Sequence, residues 1–358
     1  MAASASHTRL PSLLLLGPNK CGTTTLHDAL VQQRIACPPT PSRPYSSAAN
    51  LTWVARKEVM FYDMPARYAL GLEWYRSNFN RSRCVFCRLG NCSSAGRLWC
   101  NRTCHQRFID STASYFYQPA VAERVHAAYP RPQQRAALKL LVVLREPVDR
   151  DVSAFNFYVG LALRRSGHGA SDAPVAVQLV RRSYGADVLE RLAHNRSGRA
   201  AYVRATWARL GALGASNRSQ QEVLSPRALE VGFYAAHLRR WLRYFEPRQL
   251  FVASFAQLVQ QGVHSYAAAW LAPWVGLPRL LIRPKLPHAA PRRAAHLAGA
   301  PLVDGARVLP PDLCGRLADL YTRPNEELYR LLAAVRAVPG AASPPFPCFE
   351  QVECRDSG

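Results

Sequence analysis

The arrangement of apolar and polar positions along the chain predicts strands that alternate with helices. Continuous apolar runs bounded by turns, typical of buried strands, occupy residues 12–17, 58–62, 138–144 and 249–255. Apolar residues recur at helical spacing in residues 24–33, 120–128, 148–163, 226–245 and 311–335. This alternation predicts an α/β fold in which helices cover both faces of a central parallel sheet.

The predicted helix at 226–245 has the clearest pattern. Its apolar face contains Tyr234, Leu238, Trp241 and Phe245. Three arginines occupy the other positions of the same turns: Arg239, Arg240 and Arg243. We interpret them as a solvated face, with contact to a polyanion as the alternative.

Three stretches interrupt the alternation and are interpreted as surface insertions on one domain. The first begins at Cys37, the second is the cysteine-rich segment 81–107, and the third is the Arg- and Ala-rich segment 164–225. The predicted domain spans residues 12–335, and residues 336–358 form a C-terminal tail. In that tail, Cys348 and Cys354 are close enough in sequence to close a short loop together.

Composition predicts a folded chain with a basic surface. The 358 residues are 49% hydrophobic, which excludes wholesale disorder. The formal net charge is +23 and comes mostly from arginine. It indicates an anionic partner, unless it records a biased genome. No basic block is interleaved with aromatic residues, so a nucleic-acid partner is not expected.

Asparagine and cysteine usage indicates the secretory pathway. Six asparagines begin N-x-[ST] sequons, where chance gives about one: Asn50, Asn80, Asn91, Asn101, Asn195 and Asn217. The chain also has 10 cysteines, as expected where disulfides persist. The apolar run before the first glycine turn is too short for a signal peptide or a membrane anchor. We expect an anchor upstream of Met1 in a longer chain; the alternative is a cytosolic protein with accidental sequons.

The cysteine-rich segment allows two interpretations. Five cysteines are followed by a histidine, in the order Cys84, Cys87, Cys92, Cys100, Cys104 and His105. The first pair has the spacing of a zinc finger, but the sequons inside the cluster favour disulfides over zinc. Because five is odd, one of these cysteines needs a partner elsewhere, for which Cys37 and Cys314 are candidates. The histidines form no recognisable metal-binding pattern.

Two motifs indicate an anion-binding site. In "LLLLGPNKCGTTTL", residues 13–26, Gly17 and Gly22 bracket Lys20 between a predicted strand and a predicted helix. Backbone amides of such a turn and a helix N-terminus bind phosphate or sulfate oxygens. In "LVVLREPVDRDVSAF", Arg145 ends a strand and Ser153 lies in the next helix, which suits a second phosphate. A plain strand-to-helix turn and an ion-paired helix start are the structural alternatives.

These motifs resemble those of the sulfotransferases that use 3'-phosphoadenosine 5'-phosphosulfate (PAPS), and among them the Golgi enzymes that act on heparan sulfate and related glycans. Their 5'-phosphosulfate loop reads G-x-x-K-x-G-T-[TR]-x-L, and this chain matches it. The resemblance implies a P-loop-like sheet and a donor site that needs no metal. Its implied ligands are Lys20, Cys21, Gly22, Thr23, Thr24, Thr25, Arg145 and Ser153, with the last two at the 3'-phosphate.

A third stretch, "KEVMFYD" from Lys57, resembles the family's K/N-E-x-H-F-F-D sequence. By this resemblance Glu58 is the general base that accepts a proton from the acceptor hydroxyl, and Lys20 stabilises charge on the departing phosphate. From the residues alone, an ion pair between Glu58 and Lys57 or Arg56 on a strand edge is the simpler interpretation. Trp74 and Tyr75 are interpreted as core residues, with a sugar platform as the alternative.

The chain departs from the family at three places. Met60 replaces the usual histidine, and Ser111 replaces a lysine of the heparan 3-O-sulfotransferases. The family's late lid sequence is not recognisable, and Lys285, Arg292 and Arg293 are its weak candidates.

The sequence therefore predicts a Golgi-lumenal PAPS-dependent sulfotransferase acting on an anionic or neutral polysaccharide. The alternatives are a noncatalytic glycan-binding protein of the same fold and a P-loop kinase. The kinase is disfavoured because its lysine would follow the second glycine.

Overall fold

The computed structural model describes residues 10–40, 57–79, 86–89, 102–105, 107–154, 157, 227–277, 311–340 and 343–349. The chain divides into two compact units. The first contains Met1–Leu144, Leu238–Leu286 and Ala334–Phe346, and the second contains Arg145–His237, Pro287–Ala333 and Pro347–Gly358. The domain boundaries expected from the sequence stay a prediction.

The centre of the first unit is a four-stranded parallel sheet in the order β4-β1-β5-β6. Its strands are β1 (Leu13–Gly17), β4 (Ile109–Asp110), β5 (Lys139–Leu144) and β6 (Leu250–Ser254). A separate antiparallel pair is formed by β2 (Phe86–Leu89) and β3 (Arg102–His105). The predicted α/β fold with a parallel sheet is confirmed.

The strands of the sheet are almost continuously apolar because both faces are covered. Every residue of β1 and β6 is buried, and so are all of β5 except Lys139. Alternate residues such as Leu13 and Leu15 join one core cluster with α1 and the helices that follow β6. Such burial on both faces is typical of parallel sheets and distinguishes them from half-exposed antiparallel ones.

The helices of the first unit surround this sheet. They are α1 (Thr23–Gln32), α2 (Pro65–Tyr68), α3 (Gly71–Ser77), α4 (Val121–Ala128) and α5 (Pro132–Ala137), with a 3₁₀ turn at Ala113–Phe116. After β6 come helices at Phe255–Gln261, Val263–Tyr266 and Ala272–Trp274, the last two joined by a π-helical stretch at Ala267–Leu271.

The other described helices belong to the second unit or cross its sequence boundaries. They lie at 147–154, Arg227–Glu230, Tyr234–Leu242 and Pro311–Arg336.

Two element predictions are wrong. Residues 58–62 form no strand, and the helix expected over 226–245 is two helices with a break at Gly232. At that break, a Cβ on Gly232 would lie 2.5 Å from the Tyr321 ring, so the chain approaches this side chain too closely for any other residue. The short strand β4 and the β2–β3 pair were not predicted.

The predicted apolar face of the helix Tyr234–Leu242 is confirmed, because Tyr234, Leu238 and Trp241 are fully buried. Its arginines divide in their surroundings. Arg239 is exposed, whereas Arg240 is half-buried and donates a hydrogen bond to the carbonyl of Tyr117 at 3.0 Å.

The described cysteines are only partly as expected. Cys37 is disulfide-bonded, and its partner lies outside the residues whose side chains are described. Cys21 is buried and is not part of a disulfide. Cys348 is an exposed free thiol, so the expected loop closure between Cys348 and Cys354 is wrong.

Several sequence predictions lie outside the described residues. These are all six sequons, the insertion at 164–225, most of 81–107, and the lid candidates Lys285, Arg292 and Arg293. Within the described part of the chain, no helix combines the length and apolar character needed to cross a bilayer.

Candidate functional site

The glycine turn connects β1 to α1 and depends on its two glycines. Gly17 has a φ of 105°, and a Cβ there would lie 2.0 Å from the carbonyl oxygen of Ala113. Gly22 has a φ of 82°, and a Cβ there would lie 2.9 Å from the Phe255 ring. Lys20 also adopts a left-handed backbone, with a φ of 68°. A side chain at either glycine would therefore push the turn off its neighbours.

The turn ends at a helix N-terminus that is suited to an anion. Gly22 caps α1, and the first amides of a helix have no acceptor within the helix. The first turn of α1 contains three threonines and no acidic residue. Asn19 donates to the Tyr117 hydroxyl at 3.3 Å, which holds the start of the turn. The first amides of α1 and the positive end of its helix dipole therefore lie where the glycine turn ends, in the same turn as the three threonines.

The expected loop residues differ in how far their side chains are exposed to solvent. The side chain of Cys21 is buried in the core cluster, so only its backbone could meet a bound anion. Thr23 is buried and Thr24 is exposed. Of these two threonines, Thr23 is therefore shielded from solvent and Thr24 is open to it.

Glu58 lies at this loop through an interaction with Lys57. The ammonium of Lys57 donates to Glu58 Oε1 at 2.8 Å, to Thr23 Oγ1 at 3.1 Å and to Thr24 Oγ1 at 3.2 Å. The Lys57 side chain is 5% exposed and that of Glu58 is 14% exposed. The ion pair foreseen as the simpler alternative for Glu58 therefore exists, and it places the carboxylate beside the predicted anion loop.

The segment that contains Glu58 is not a strand, because side chains rather than a neighbouring strand accept its amide hydrogens. The amide of Met60 donates to Thr112 Oγ1 at 3.0 Å. The amides of Phe61 and Tyr62 donate to the Tyr115 hydroxyl at 2.8 and 3.3 Å. A buried amide needs an acceptor, and these hydroxyls supply it at irregular backbone angles.

Asp110, at the end of β4, organises these hydroxyls. Its carboxylate accepts hydrogen bonds from Tyr75 at 2.9 Å, from Tyr115 at 3.0 Å and from Thr112 Oγ1 at 2.7 Å. Complete burial raises the pKa of Asp110, while the hydrogen bonds from Thr112 and Tyr75 act in the opposite direction. The sequence did not single out this residue, since one aspartate in a two-residue strand gives no recognisable signal.

Asp63 is a second carboxyl group near Glu58. Burial raises the pKa of Asp63 to about 6, and the negative charges of Asp110 and Glu58 add to the rise. Ser114 Oγ donates to Asp63 Oδ2 and opposes it. Sequence reasoning missed Asp63, although it ends the "KEVMFYD" stretch.

His27 and Ser111 form a buried pair beneath the loop helix. His27 Nδ1 lies 2.7 Å from Ser111 Oγ, and the amide of Ser111 donates to the carbonyl of Lys57 at 3.0 Å. Burial lowers the pKa of His27 to about 3, and the charge of Lys57 acts in the same direction. The imidazole is therefore neutral at physiological pH. Ser111 is itself fully buried and supports the segment that contains Glu58.

Trp74 and Tyr75 have different surroundings. Tyr75 is fully buried, as expected for a core residue. Trp74 is partly exposed and stacks on Phe61, with the ring centroids 6.0 Å apart.

Arg145 and Ser153 belong to the second unit. The Arg145 guanidinium lies 3.8 Å from Asp149 Oδ2, and the Arg145 carbonyl accepts from the Tyr234 hydroxyl at 2.8 Å. Ser153 is 9% exposed on the helix at 147–154. Their assignment to a 3'-phosphate stays a prediction.

Glu146, which follows Arg145, caps the N-terminus of that helix: its carboxylate accepts a hydrogen bond from the amide of Asp149 at 2.7 Å. Burial raises the pKa of Glu146 to about 7. Among the described residues of each unit, no group of histidine, cysteine, aspartate and glutamate is arranged to hold a metal ion.

Comparison with known proteins identifies the family of this chain. The family model described as "Sulfotransferase domain" matches residues 10–265. The human "Bifunctional heparan sulfate N-deacetylase/N-sulfotransferase 3" is 25% identical over 70% of this chain and 20% of its own length. The Caenorhabditis briggsae "Bifunctional heparan sulfate N-deacetylase/N-sulfotransferase 1" is 23% identical over 77% of this chain and 24% of its own. The chain thus spans about a quarter of these relatives or less.

One solved structure also aligns with this chain. It is entitled "Crystal Structure of Sulfotransferase from Alicyclobacillus acidocaldarius", is 17% identical and covers 92% of this chain and 99% of that one with a TM-score of 0.48. The assignment depends instead on the family model, which covers more than half of the chain and includes both the glycine turn and Glu58. The chain belongs to the sulfotransferase domain family and is similar to heparan sulfate N-deacetylase/N-sulfotransferases.

Proposed function

We propose that this protein transfers a sulfuryl group from PAPS to a hydroxyl or amine of a glycan. One observation supports this most strongly: the Glu58 carboxylate and the hydroxyls of Thr23 and Thr24 bind the same ammonium, that of Lys57. A carboxylate that can accept a proton is thereby held next to a loop built for an anionic donor. This pairing of base and anion loop is what sulfuryl transfer requires.

The residues of the loop fit a phosphosulfate group by their chemistry. Amides, threonine hydroxyls and the Lys20 ammonium are all hydrogen-bond donors, and a phosphosulfate offers only acceptors. When bound, PAPS supplies the sulfuryl group on a phosphate that can leave. In this proposal Gly22, Thr23, Thr24 and Thr25 bind the anion, Cys21 contributes its backbone, and Lys20 offsets the charge of the departing phosphate.

Glu58 acts on the acceptor side of the reaction. Its carboxylate accepts the proton that the acceptor hydroxyl loses, a role that needs an acceptor oxygen within hydrogen-bond reach. Arg145 and Ser153 are proposed ligands of the 3'-phosphate, by resemblance to the family's second motif.

We propose a glycosaminoglycan-like polysaccharide as the acceptor and the Golgi lumen as the location. The similar proteins support the acceptor class, because their names describe them as heparan sulfate N-deacetylase/N-sulfotransferases. The net charge of +23 fits an anionic chain, and the sequons and cysteines fit a lumenal environment. Glycosylation and disulfides of the cysteine-rich segment are part of the same proposal.

Transfer of radiolabelled sulfate from PAPS to a panel of glycans tests the activity. The panel contains heparan, chondroitin and an algal-type polysaccharide, each in native and desulfated form. We expect label on one acceptor class and a loss of about 100-fold or more in rate for Lys20→Ala and for Glu58→Gln. The matched control is Glu73→Gln, because Glu73 is an exposed glutamate that pairs only with Arg76 among the described contacts.

The same assay separates the enzyme from its alternative. Tight binding of 3',5'-ADP without transfer to any acceptor would favour a noncatalytic binding protein. Unchanged transfer in both Lys20→Ala and Glu58→Gln would refute the residue assignment while leaving the activity in place.

A further inference from the structure

Lys57 is the residue that connects the anion loop to the proposed base. Its ammonium is nearly completely buried and lies within hydrogen-bond distance of three oxygens, on Thr23, Thr24 and Glu58. An ammonium has three donor hydrogens and no acceptor. Lys57 therefore uses all three of its donor hydrogens. Two go to Thr23 and Thr24, which are 34 and 33 residues away in sequence, and one goes to the adjacent Glu58.

The direction of these hydrogen bonds determines what the threonines can do. Because Lys57 can only donate, the oxygens of Thr23 and Thr24 must accept, and the single O–H of each hydroxyl is left to donate elsewhere. A hydroxyl that accepts from a cation is also a stronger donor, since hydrogen bonds in a chain polarise one another. Lys57 thus favours the hydroxyl orientation that an anion in the loop needs.

The same ammonium determines where the carboxylate of Glu58 lies. A glutamate side chain has several rotatable bonds, and ordering it costs conformational free energy. The 2.8 Å ion pair holds Oε1 toward the loop and leaves the second carboxylate oxygen to accept a proton. The positive charge also offsets the repulsion between this carboxylate and a bound anion, which would otherwise lie close together with like charge.

We propose that Lys57 is a positioning residue that couples donor binding to proton transfer, by orienting the hydroxyls of Thr23 and Thr24 toward the donor and holding Glu58 toward the acceptor. This inference rests on the proposed function. It assigns Lys57 no contact with either substrate, and so it predicts effects that depend on the presence of the threonine hydroxyl and of the Glu58 carboxylate.

The first test uses the binding of 3',5'-ADP, measured by calorimetry, and needs no transfer. We expect Thr24→Val to weaken binding by about tenfold in the wild-type background, as for the loss of one charge-assisted hydrogen bond. In the Lys57→Met background the same change should weaken it by less than about threefold, because the hydroxyl is no longer oriented. Equal effects in both backgrounds would overturn the orienting role.

The second test uses the transfer rate with a double-mutant cycle. We expect Lys57→Met to lower kcat by about 10- to 100-fold, with the KM of the acceptor within about threefold of wild type. Added to Glu58→Gln, it should lower kcat by no more than about threefold further, because Lys57 acts through the carboxylate. Full additivity would indicate a merely structural role and would overturn the coupling.

Two further variants keep the inference falsifiable if Lys57→Met is unstable. Lys57→Arg retains the charge and should recover at least part of kcat relative to Lys57→Met. Lys139→Met is the control, because Lys139 is a half-buried lysine that starts β5 and lies against Trp274, at the other end of the strands. It should change neither ADP affinity nor kcat.

The outcomes distinguish the two proposals. If wild-type protein binds 3',5'-ADP but transfers nothing, the proposed activity fails while the binding cycle still decides the orienting role. If wild-type protein transfers sulfate and Lys57→Met folds and matches it in kcat and ADP affinity, the activity stands and the role of Lys57 fails. If wild-type protein does neither, both fail together.

Discussion

Replacing Tyr115 with phenylalanine tests how the segment containing Glu58 is held. The Tyr115 hydroxyl accepts from the amides of Phe61 and Tyr62 at 2.8 and 3.3 Å and donates to Asp110 at 3.0 Å. Removing one oxygen therefore leaves two buried amides without this acceptor and takes one donor from a buried carboxylate. The aromatic ring itself can stay where it is.

The expected loss of stability follows from these contacts. An unsatisfied buried polar group costs about 1–3 kcal/mol. The short bond from Phe61 should account for most of the loss, because the amide of Tyr62 shares the same oxygen at a longer distance. Asp110 keeps its hydrogen bonds from Tyr75 and Thr112. We therefore expect Tyr115→Phe to lower the free energy of unfolding by about 2–4 kcal/mol.

Tyr266→Phe is the matched control for this variant. Tyr266 is likewise fully buried in the first unit, but its hydroxyl has no hydrogen-bond partner within the part of the chain that the structure describes. Removing that hydroxyl should be neutral or slightly stabilising, because it removes an uncompensated polar group. The two substitutions delete the same atom from the same residue type, and they differ in what the atom contacts.

Urea unfolding monitored by tryptophan fluorescence gives the free energies by linear extrapolation. A difference between Tyr115→Phe and Tyr266→Phe below about 0.5 kcal/mol would refute the reasoning, since that is the size of an ordinary surface substitution. It would mean that the segment around Glu58 is not held by the Tyr115 hydroxyl.

Three further predictions concern charge and backbone at the site. Because the pKa of Asp63 is raised to about 6, its ionised form destabilises the fold above that pH. Asp63→Asn should therefore raise the free energy of unfolding at pH 7 by about 1–3 kcal/mol. Urea titrations at a series of pH values should show this gain shrinking toward pH 4. Because the pKa of His27 is lowered to about 3, unfolding takes up a proton between that pH and 6.5, and this contribution to stability is lost as the pH falls. His27→Gln should flatten the dependence of the unfolding free energy on pH in this range. An unchanged slope would contradict the prediction. Gly22 and Gly71 share a φ of 82°, but of these two only Gly22 would bring an added Cβ within 4 Å of a neighbour. Gly22→Ala should therefore lower the free energy of unfolding by about 1–3 kcal/mol more than Gly71→Ala. Of the two variants, only Gly22→Ala should weaken 3',5'-ADP binding in calorimetry.

Local sequence patterns were sufficient for three of the four strands of the central sheet. The apolar runs predicted β1, β5 and β6 to within one or two residues, because strands buried on both faces have no polar position to obscure them. The same signal was misleading at residues 58–62, where apolar side chains are buried around an irregular backbone. A run of apolar residues reports burial, and burial alone does not specify a strand.

The site divides in the same way. The glycine turn, Lys20 and Glu58 could be chosen from the sequence, because the loop needs glycines at fixed spacing and the remaining residues matched a family pattern. The role proposed for Lys57 could not be inferred from the sequence, since an adjacent lysine and glutamate are common on any surface. What made Lys57 exceptional is its burial against Thr23 and Thr24.

By itself the sequence determined the strand–turn–helix order, the parallel sheet and the glycine turn between β1 and α1, because these follow from periodicity and from residues with special backbone freedom. Only the tertiary structure decided which side chains complete the site. The hydrogen bonds that hold the Glu58 segment join residues 52 to 54 positions apart, and those from Lys57 to the loop join residues 33 and 34 apart. Such pairings depend on how the sheet and its connections fold together, and no local window of sequence contains them.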